Sequence, residues 1–230
     1  MPSQTDLKTR LLDAALSHVA FDGWSNETLK QAAKDCDVEY ELAKTHYPRG
    51  AVDLALAYHH SGDDKMVAGL AKADFSQARF RDRIIAAVRL RLESADIEAV
   101  RRGVTLFAMP QNAGDGAKAI WGTADRIWSE LGDTSQDVNW YTKRATLSAV
   151  YSSVVLYWLG DTSDDFENTW AFLDRRIENV MQFEKTKAKL RENPLVKGFM
   201  NGPGKFLERI KSPDDSGAEG FPGYWPQAKD

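Results

Sequence analysis

The stretch that most restricts the fold is an uncharged run at residues 145–159. Its fifteen residues contain no Asp, Glu, Lys or Arg, and it is shorter than the roughly 20 apolar residues that a membrane-spanning helix needs. Serines at positions 148, 152 and 153 also interrupt it. A helix that is apolar around most of its circumference must be surrounded by protein or must line an apolar cavity. The run therefore predicts a buried helix beside a solid core or a lipid-sized cavity.

Two similar polar turns flank this helix. "GDTSQDVNW" begins at Gly132 and "GDTSDDFENTW" at Gly160, so that each glycine ends one helix and a polar residue caps the next. In the second turn Asp164 lies three residues before Glu167, as in a capping box. Elsewhere apolar residues recur at helical spacing, and no stretch shows the sustained alternation of a strand. The chain is therefore predicted to be all-α, with long helices near residues 49–73, 76–94, 96–109, 117–131, 137–159 and 164–189.

The first 48 residues have the pattern of a helix-turn-helix module. A long helix closed by Gly23 precedes two short ones, one capped by Asn26 and one stopped by Pro48. We predict four regions: this module (1–48), a ligand-binding helical bundle (49–189), a basic amphipathic membrane segment (190–211) and a disordered tail (212–230).

Charge argues against nucleic-acid binding by the front module. Residues 1–60 carry six basic and nine acidic side chains, and the second short helix sets Glu39 and Glu41 against a single Lys44. Affinity for DNA rests on Lys and Arg that neutralise phosphates, so such a surface repels DNA. We expect no nucleic-acid partner.

The sequence also shows none of the residue patterns that are typical of enzyme active sites. All four histidines fall within the first 60 residues, and no catalytic triad, di-iron motif or glycine-rich phosphate loop is evident. We predict no catalytic residues, no metal ligands, and no cofactor apart from a bound lipid. The lone Cys36 suits a reducing compartment, and the start of the chain lacks the features of a signal peptide, so a cytoplasmic location is expected.

If the uncharged helix borders a cavity, large apolar side chains should line it. The expected lining residues are Leu106, Met109, Trp121, Leu147, Val150, Tyr151, Val154, Val155 and Trp158.

Positive charge is concentrated near the C-terminus. Residues 185–211 contain eight basic and two acidic residues, although the whole chain has a net charge of -4. Gly202, Pro203 and Gly204 should break a helix there, but apolar faces remain beside the basic residues. Attachment to an anionic membrane surface should be reversible and salt-sensitive. The expected membrane-binding residues are Leu195, Val196, Lys197, Phe199, Met200, Lys205, Phe206, Leu207, Arg209, Ile210 and Lys211.

The segments "FAMPQN", "DVNWYTKRA" and "DDFENTWAFLDRR" resemble the ubiquinone-biosynthesis accessory lipid-binding protein family, the ninth numbered member of the coenzyme Q set. The resemblance is densest between residues 91 and 181. It implies a TetR-like fold that forms homodimers, a helix-turn-helix that does not serve transcription, and isoprenoid lipids held in the bundle. The family also ends in an amphipathic membrane-binding helix, to which "NPLVKGFMNGPGKFLERIK" is similar.

The resemblance also implies a partner. It predicts that the chain presents polyprenylated quinone intermediates to the membrane-associated di-iron hydroxylase of ubiquinone biosynthesis, on the inner face of a bacterial cytoplasmic membrane. The docking patch carried over from the family comprises Asp125, Ile127, Trp128, Trp140, Tyr141 and Arg144. The alternative function is a TetR-type, ligand-responsive transcriptional regulator.

Overall fold

The structure is a computed structural model that describes residues 4–192, with the side chains of residues 6–183. Every regular element in this part of the chain is helical, which confirms the all-α prediction. The helices are α1 (Gln4–Asp22), α2 (Asn26–Asp35), α3 (Tyr40–His46), α4 (Ala51–Leu70), α5 (Phe80–Glu93), α6 (Ile97–Phe107), α7 (Ala113–Glu130), α8 (Val138–Gly160) and α9 (Glu167–Glu192), with a 3₁₀ turn at Asp164–Phe166 before α9. The predicted tail, and the predicted membrane segment after Glu192, lie outside the described residues.

The helices divide into two compact units. The first comprises Met1–Gly69 with Leu90–Ala119, and the second comprises Leu70–Arg89 with Ile120–Asp230. This division does not follow the boundary expected at residue 48. The reason is that α4 and α6 contribute apolar side chains, including Leu54, Tyr58 and Leu106, to the same core as the front helices.

The first unit is built around α1. The inner face of α1, with Leu11, Ala15 and Val19 essentially unexposed, packs in one hydrophobic core with side chains of α2, α3, α4 and α6. Trp24 joins two of these elements, because its ring tilts against Tyr58 and its Nε1 donates to the carbonyl oxygen of Ala99 (2.9 Å). The expected module of one long and two short helices is therefore present.

Two helix starts differ from those expected. The cap of α2 is Ser25, whose hydroxyl accepts a hydrogen bond from the Thr28 backbone N–H, so Asn26 is the first helical residue. Helix α7 begins at Ala113 and not near residue 117, because Gly114 and Gly116 are accommodated inside it. A Cβ at Gly116 would lie 2.7 Å from the Cβ of Phe107, so glycine permits the close approach of α6.

A buried ion pair joins α4 to α5 within the first unit. Arg91 Nε donates to Asp63 Oδ1 at 2.6 Å, and both side chains are at most 6% exposed. The guanidinium also donates to the carbonyl oxygen of His59, and it fills the space beside Gly62 that any larger residue would occupy. His59 Nε2 donates to the carbonyl oxygen of Ala119 (3.1 Å). Removing one member of such a pair is costly because the other charge stays buried.

The second unit contains most of α5 and α7 together with α8 and α9. Helix α8 packs against α9, with Tyr157 stacked on Phe172 at a ring-centroid distance of 4.5 Å. Helix α5 begins at Phe80 and not at residue 76, because the preceding residues form turns. Arg83 donates to the carbonyl oxygens of Phe75 and Ala78 there and satisfies them outside a helix.

The two similar turns share one local structure. Asp133 Oδ1 accepts from the N–H and hydroxyl of Ser135, and Asp161 Oδ1 accepts in the same way from Ser163. The second turn caps α9 with Asp161 Oδ2, which accepts from the N–H and hydroxyl of Thr169. The predicted capping box at Asp164 is therefore wrong, since Asp164 lies in the 3₁₀ turn.

Burial of His59 should make the stability of the first unit depend on pH. Loss of solvation, only partly opposed by Asp63, lowers the pKa of His59 from 6.5 to about 4. Between these pH values the unfolded chain binds a proton that the folded chain does not, so stability falls as pH falls, by about 3 kcal/mol in total.

The His59→Gln variant retains a donor for Ala119 and should lose this part of the pH dependence. Urea denaturation at several pH values between 6.5 and 4 measures it. Parallel stability curves for the variant and the wild type would contradict the assignment.

Candidate functional site

An apolar groove lies in the second unit between α5, α8 and α9, with Trp128 of α7 at its border. Its volume is about 160 Å³. The lining residues come from all four helices and are Phe80, Ile84, Trp128, Asn139, Thr142, Lys143, Thr146, Leu147, Val150, Ile177, Val180 and Met181.

The lining changes character from the interior to the rim. Aliphatic side chains of α8 and α9, such as Leu147 and Ile177, are buried, whereas Thr142 and Thr146 are exposed. Phe80 is 41% exposed and its ring lies 5.4 Å from that of Trp128. A groove with apolar walls and a few polar groups at its edge suits a molecule with an oily body and a polar end.

The first of the two similar turns fixes the rim. Asp133 is 2% exposed and accepts from Lys143 Nζ (2.7 Å) and from Arg144 Nη1 (3.0 Å). Lys143 in turn lies 5.1 Å above the ring of Trp128, whose Nε1 donates to the carbonyl oxygen of Lys143. This carboxylate therefore positions both the cation and the indole at the rim.

The ionised form of Asp133 is strongly favoured. Burial alone would raise its pKa, but hydrogen bonds from Lys143, Ser135 and Arg144 outweigh burial and lower the pKa from 3.8 to about 2. The carboxylate is therefore charged at every physiological pH, and the rim network stays intact.

Aromatic rings form a second feature near the start of α8. The rings of Trp140 and Tyr141 meet edge to face at 4.8 Å, and Trp121 of α7 lies 6.0 Å from Trp140 and 6.5 Å from Tyr141. The Arg144 guanidinium stacks on Trp140 at 4.0 Å and pairs with Asp125. We call Trp121, Trp128, Trp140 and Tyr141, all partly exposed, the aromatic surface.

The structure separates the six predicted docking residues into two groups. Ile127 is completely buried and Arg144 is 2% exposed, so neither side chain lies at the surface. Asp125, Trp128, Trp140 and Tyr141 are partly exposed. Arg144 stacks on the ring of Trp140 and pairs with Asp125. These two residues therefore support the ring from within the protein.

The nine residues predicted to line a cavity are also divided. Leu147 and Val150 border the groove. Tyr151, Val154, Val155 and Trp158 are buried, away from the groove lining. Leu106 belongs to the core of the first unit, Met109 is 39% exposed, and Trp121 lies on the aromatic surface.

Sequence reasoning missed the groove walls supplied by α5 and α9. Phe80 and Ile84 are four residues apart, and Ile177, Val180 and Met181 follow helical spacing, so each set marks one face of a helix. This amphipathic spacing in α5 and α9 could have identified both groove walls from the sequence. The polar residues at the rim, Asn139, Thr142 and Thr146, carry no such signal in the sequence.

Part of the uncharged helix is exposed, contrary to the prediction of complete burial. Leu156 is 62% exposed and Tyr157 is 38% exposed, and Ala145 and Ala149 also lie at the surface. The missing charges thus reflect one buried face, one groove face and one exposed apolar face, rather than burial on every side.

Residues 113–184, which include most of the groove and the whole aromatic surface, match the COQ9 family model. The mitochondrial ubiquinone biosynthesis protein COQ9-A of Xenopus laevis is 32% identical over 189 residues, covering 78% of this chain and 59% of that protein. The COQ9 protein of Rattus norvegicus is 29% identical over 209 residues, covering 86% of this chain and 67% of its own length. This chain is similar in sequence to the COQ9 proteins over most of its length.

The chain matches only part of the length of each of these relatives. The chain spans about 59% of the Xenopus protein and 67% of the rat protein, and both are described as mitochondrial. Among the described residues, no helix combines the length and apolar character needed to cross a membrane. The predicted membrane-binding residues, from Leu195 to Lys211, lie outside the described part of the chain.

A structural comparison identifies the fold. The chain is similar to the TetR transcriptional regulator from Nitrosomonas europaea, with a TM-score of 0.61 at 16% identity, and the similarity covers 75% of this chain and 96% of the regulator. The TetR-like fold expected from the sequence is confirmed. At this identity the similarity concerns the fold alone.

Neutralising Asp133 should destabilise the second unit. Asp133→Asn leaves Lys143 and the buried Arg144 short of a counter-charge, so we expect the free energy of unfolding to fall by about 3 kcal/mol. Asp137→Asn is the control, because Asp137 is exposed and asparagine caps α8 equally well. Urea denaturation followed by tryptophan fluorescence compares them. Equal stability of the two variants would show that the rim network is dispensable.

Proposed function

We propose that this protein is a non-catalytic lipid-binding factor that holds a polyprenylated quinone intermediate and presents it to the di-iron hydroxylase of ubiquinone biosynthesis. Homology to the COQ9 proteins supports a role in ubiquinone biosynthesis. The observation that carries the finer proposal is the juxtaposition of the apolar groove and the aromatic surface, which share Trp128.

The groove supports the lipid part of this proposal. Its interior offers aliphatic side chains from three helices, and its rim offers hydroxyl, amide and ammonium groups that can donate hydrogen bonds to ring oxygens. Lys143 is already neutralised by Asp133. A site without net charge favours an uncharged lipid, such as a quinone, over a fatty acid.

The aromatic surface supports the docking part. Trp and Tyr are enriched among the residues that carry most of the binding energy at protein interfaces, and here they are held by buried charges that fix their positions. Rings that are already ordered lose little conformational freedom when a partner binds. We propose that the hydroxylase contacts Trp140, Tyr141 and Trp128.

Location and assembly follow from the same proposal. The basic and apolar residues between 195 and 211 would attach the protein reversibly to an anionic membrane, on the cytoplasmic face in a bacterium. The exposed apolar face of α8, with Leu156 and Tyr157, supports pairing with a second copy of the chain.

The charge of α3 does not favour the regulator alternative. Glu39, at the cap of α3, and Glu41, in its first turn, are exposed on the element that a TetR-type regulator would insert into the major groove. Carboxylates there repel phosphates and accept hydrogen bonds only from cytosine or adenine amino groups. These exposed carboxylates therefore support a function other than transcriptional regulation, although the fold is TetR-like.

Blocking the mouth of the groove should prevent lipid binding. Thr146 is exposed and lines the groove, whereas its exposed neighbour Ala145 does not, so Thr146→Trp fills the groove and Ala145→Trp serves as a control of equal bulk. We expect the affinity for a short-chain ubiquinone to fall at least about tenfold in the first variant alone. Titration by calorimetry measures it, and equal affinities would exclude the groove as the lipid site.

Removing the central ring of the aromatic surface should prevent docking. Trp140→Ala should weaken binding to the hydroxylase of the same organism by about 2 kcal/mol or more. The control is Trp170→Ala, because Trp170 also carries a stacked arginine, Arg89 at 4.7 Å, but lies outside the aromatic surface. Biolayer interferometry with the purified hydroxylase compares the two. Similar losses in both variants, or none in Trp140→Ala, would reject this docking surface.

A further inference from the structure

The groove as it stands is too small for the lipid assigned to it. Its volume of about 160 Å³ is below the roughly 300–1,000 Å³ of pockets that enclose ordinary small-molecule ligands. Its walls are formed by side chains of α5 on one side and of α9 on another, so admitting a polyprenyl chain requires these walls to separate. The contacts that tie α5 to α9 therefore bear directly on ligand entry.

One side chain makes ion pairs across this boundary. Arg81 of α5 donates from Nη2 to Asp174 Oδ1 of α9 (3.0 Å), and its Nη1 lies 3.6 Å from Glu178 Oε2, one helical turn further along α9. Arg81 directly follows the groove residue Phe80 and precedes the groove residue Ile84 by three positions.

The carboxylates occupy the matching place on α9. Asp174 and Glu178 are four residues apart, as are Ile177 and Met181, so the two pairs form neighbouring rows on one side of the helix. Ile177 and Met181 line the groove. The ion pairs therefore run beside the groove and join the same two helices that form its walls.

These pairs are suited to breaking and re-forming. Asp174 is 54% exposed and Glu178 is 41% exposed, and solvent-exposed ion pairs contribute little to stability because water and salt screen them. The Nε of Arg81 is buried without a hydrogen-bond acceptor among the described residues, so the contacts of the guanidinium with α9 are those to the two carboxylates. Such a contact slows separation of the helices without preventing it.

We propose that Arg81, Asp174 and Glu178 form a latch that sets the rate at which an apolar ligand enters and leaves the groove. This inference rests on the proposed function, because it assigns a control element to the same groove. A latch that is closed in both the empty and the occupied protein changes both rates together and leaves the affinity nearly unchanged.

The test uses Nile red, an uncharged apolar dye, with stopped-flow fluorescence on the full chain. The signal that counts is the part that Thr146→Trp removes, since dye bound elsewhere does not depend on the groove mouth. Arg81→Gln should accelerate entry and release by about three- to tenfold, with the dissociation constant unchanged within about twofold. The matched control is Arg79→Gln, because Arg79 directly precedes α5 and pairs with Asp82 in the first turn of that helix.

Salt and a second variant give independent readings. Raising the salt from about 0.02 M to about 0.5 M should accelerate exchange in the wild type and have little effect in Arg81→Gln, since screening removes only the ion pairs. Asp174→Asn combined with Glu178→Gln breaks the same latch from α9 and should reproduce the fast exchange even if Arg81→Gln folds poorly.

The outcomes separate the two proposals. Unchanged exchange rates in both latch variants, with groove-dependent dye binding intact, would overturn the latch and leave the groove as a lipid site. A large change in the dissociation constant without a change in the release rate would make Arg81 a binding residue and would also overturn the latch. Absence of any groove-dependent signal in the wild type would reject the groove and the latch together.

Discussion

The buried carboxylate of Asp133 is the contact on which the geometry of the second unit depends. It lies in the turn between α7 and α8 and accepts hydrogen bonds from Lys143 and Arg144, so the start of α8 is fixed relative to the end of α7. A charge with 2% exposure is tolerated because two cations and Ser135 satisfy it. This contact helps to position both the indole at the groove rim, through Lys143, and the ring of Trp140, through Arg144.

The same turn occurs twice in the chain with two different results. In both copies an aspartate accepts from the serine two residues later, which makes the local fold a property of the short motif. The other carboxylate oxygen, Oδ2, binds Arg144 in the first copy and caps α9 in the second, and Lys143 binds Oδ1 in the first copy alone. The difference lies in the next helix, which supplies a lysine and an arginine in the first case and a threonine in the second.

Helical periodicity was sufficient to predict the fold class and most helix ends, because glycine at positions 23 and 132 adopts the positive φ that terminates a helix. It was not sufficient for the groove. The groove uses the first part of α8, from Asn139 to Val150, where polar and apolar residues are mixed, whereas the later residues Tyr151, Val154, Val155 and Trp158 are buried away from it. Which face of an uncharged helix meets solvent depends on neighbours distant in sequence, and residues 145–159 carry no charge to mark it.

The docking residues illustrate a different difficulty. Resemblance to a family identifies positions without stating their exposure, and Ile127 and Arg144 proved to be interior. Arg144 is nevertheless essential to the surface, because it supports Trp140 from beneath while Asp125 and Asp133 compensate its charge. Long-range ion pairs of this kind have no periodic signature, so they are seen only when the helices are packed.

Trp128 belongs to both the groove and the aromatic surface, so under the proposed function this shared ring would couple lipid binding to docking. An occupant that displaces the indole alters the face offered to a docking protein. Thermodynamic reciprocity then requires that a protein preferring one orientation of the indole changes the affinity for the occupant by the same factor. Under the proposed function, a docking protein would therefore distinguish a loaded carrier from an empty one without touching the hidden cargo.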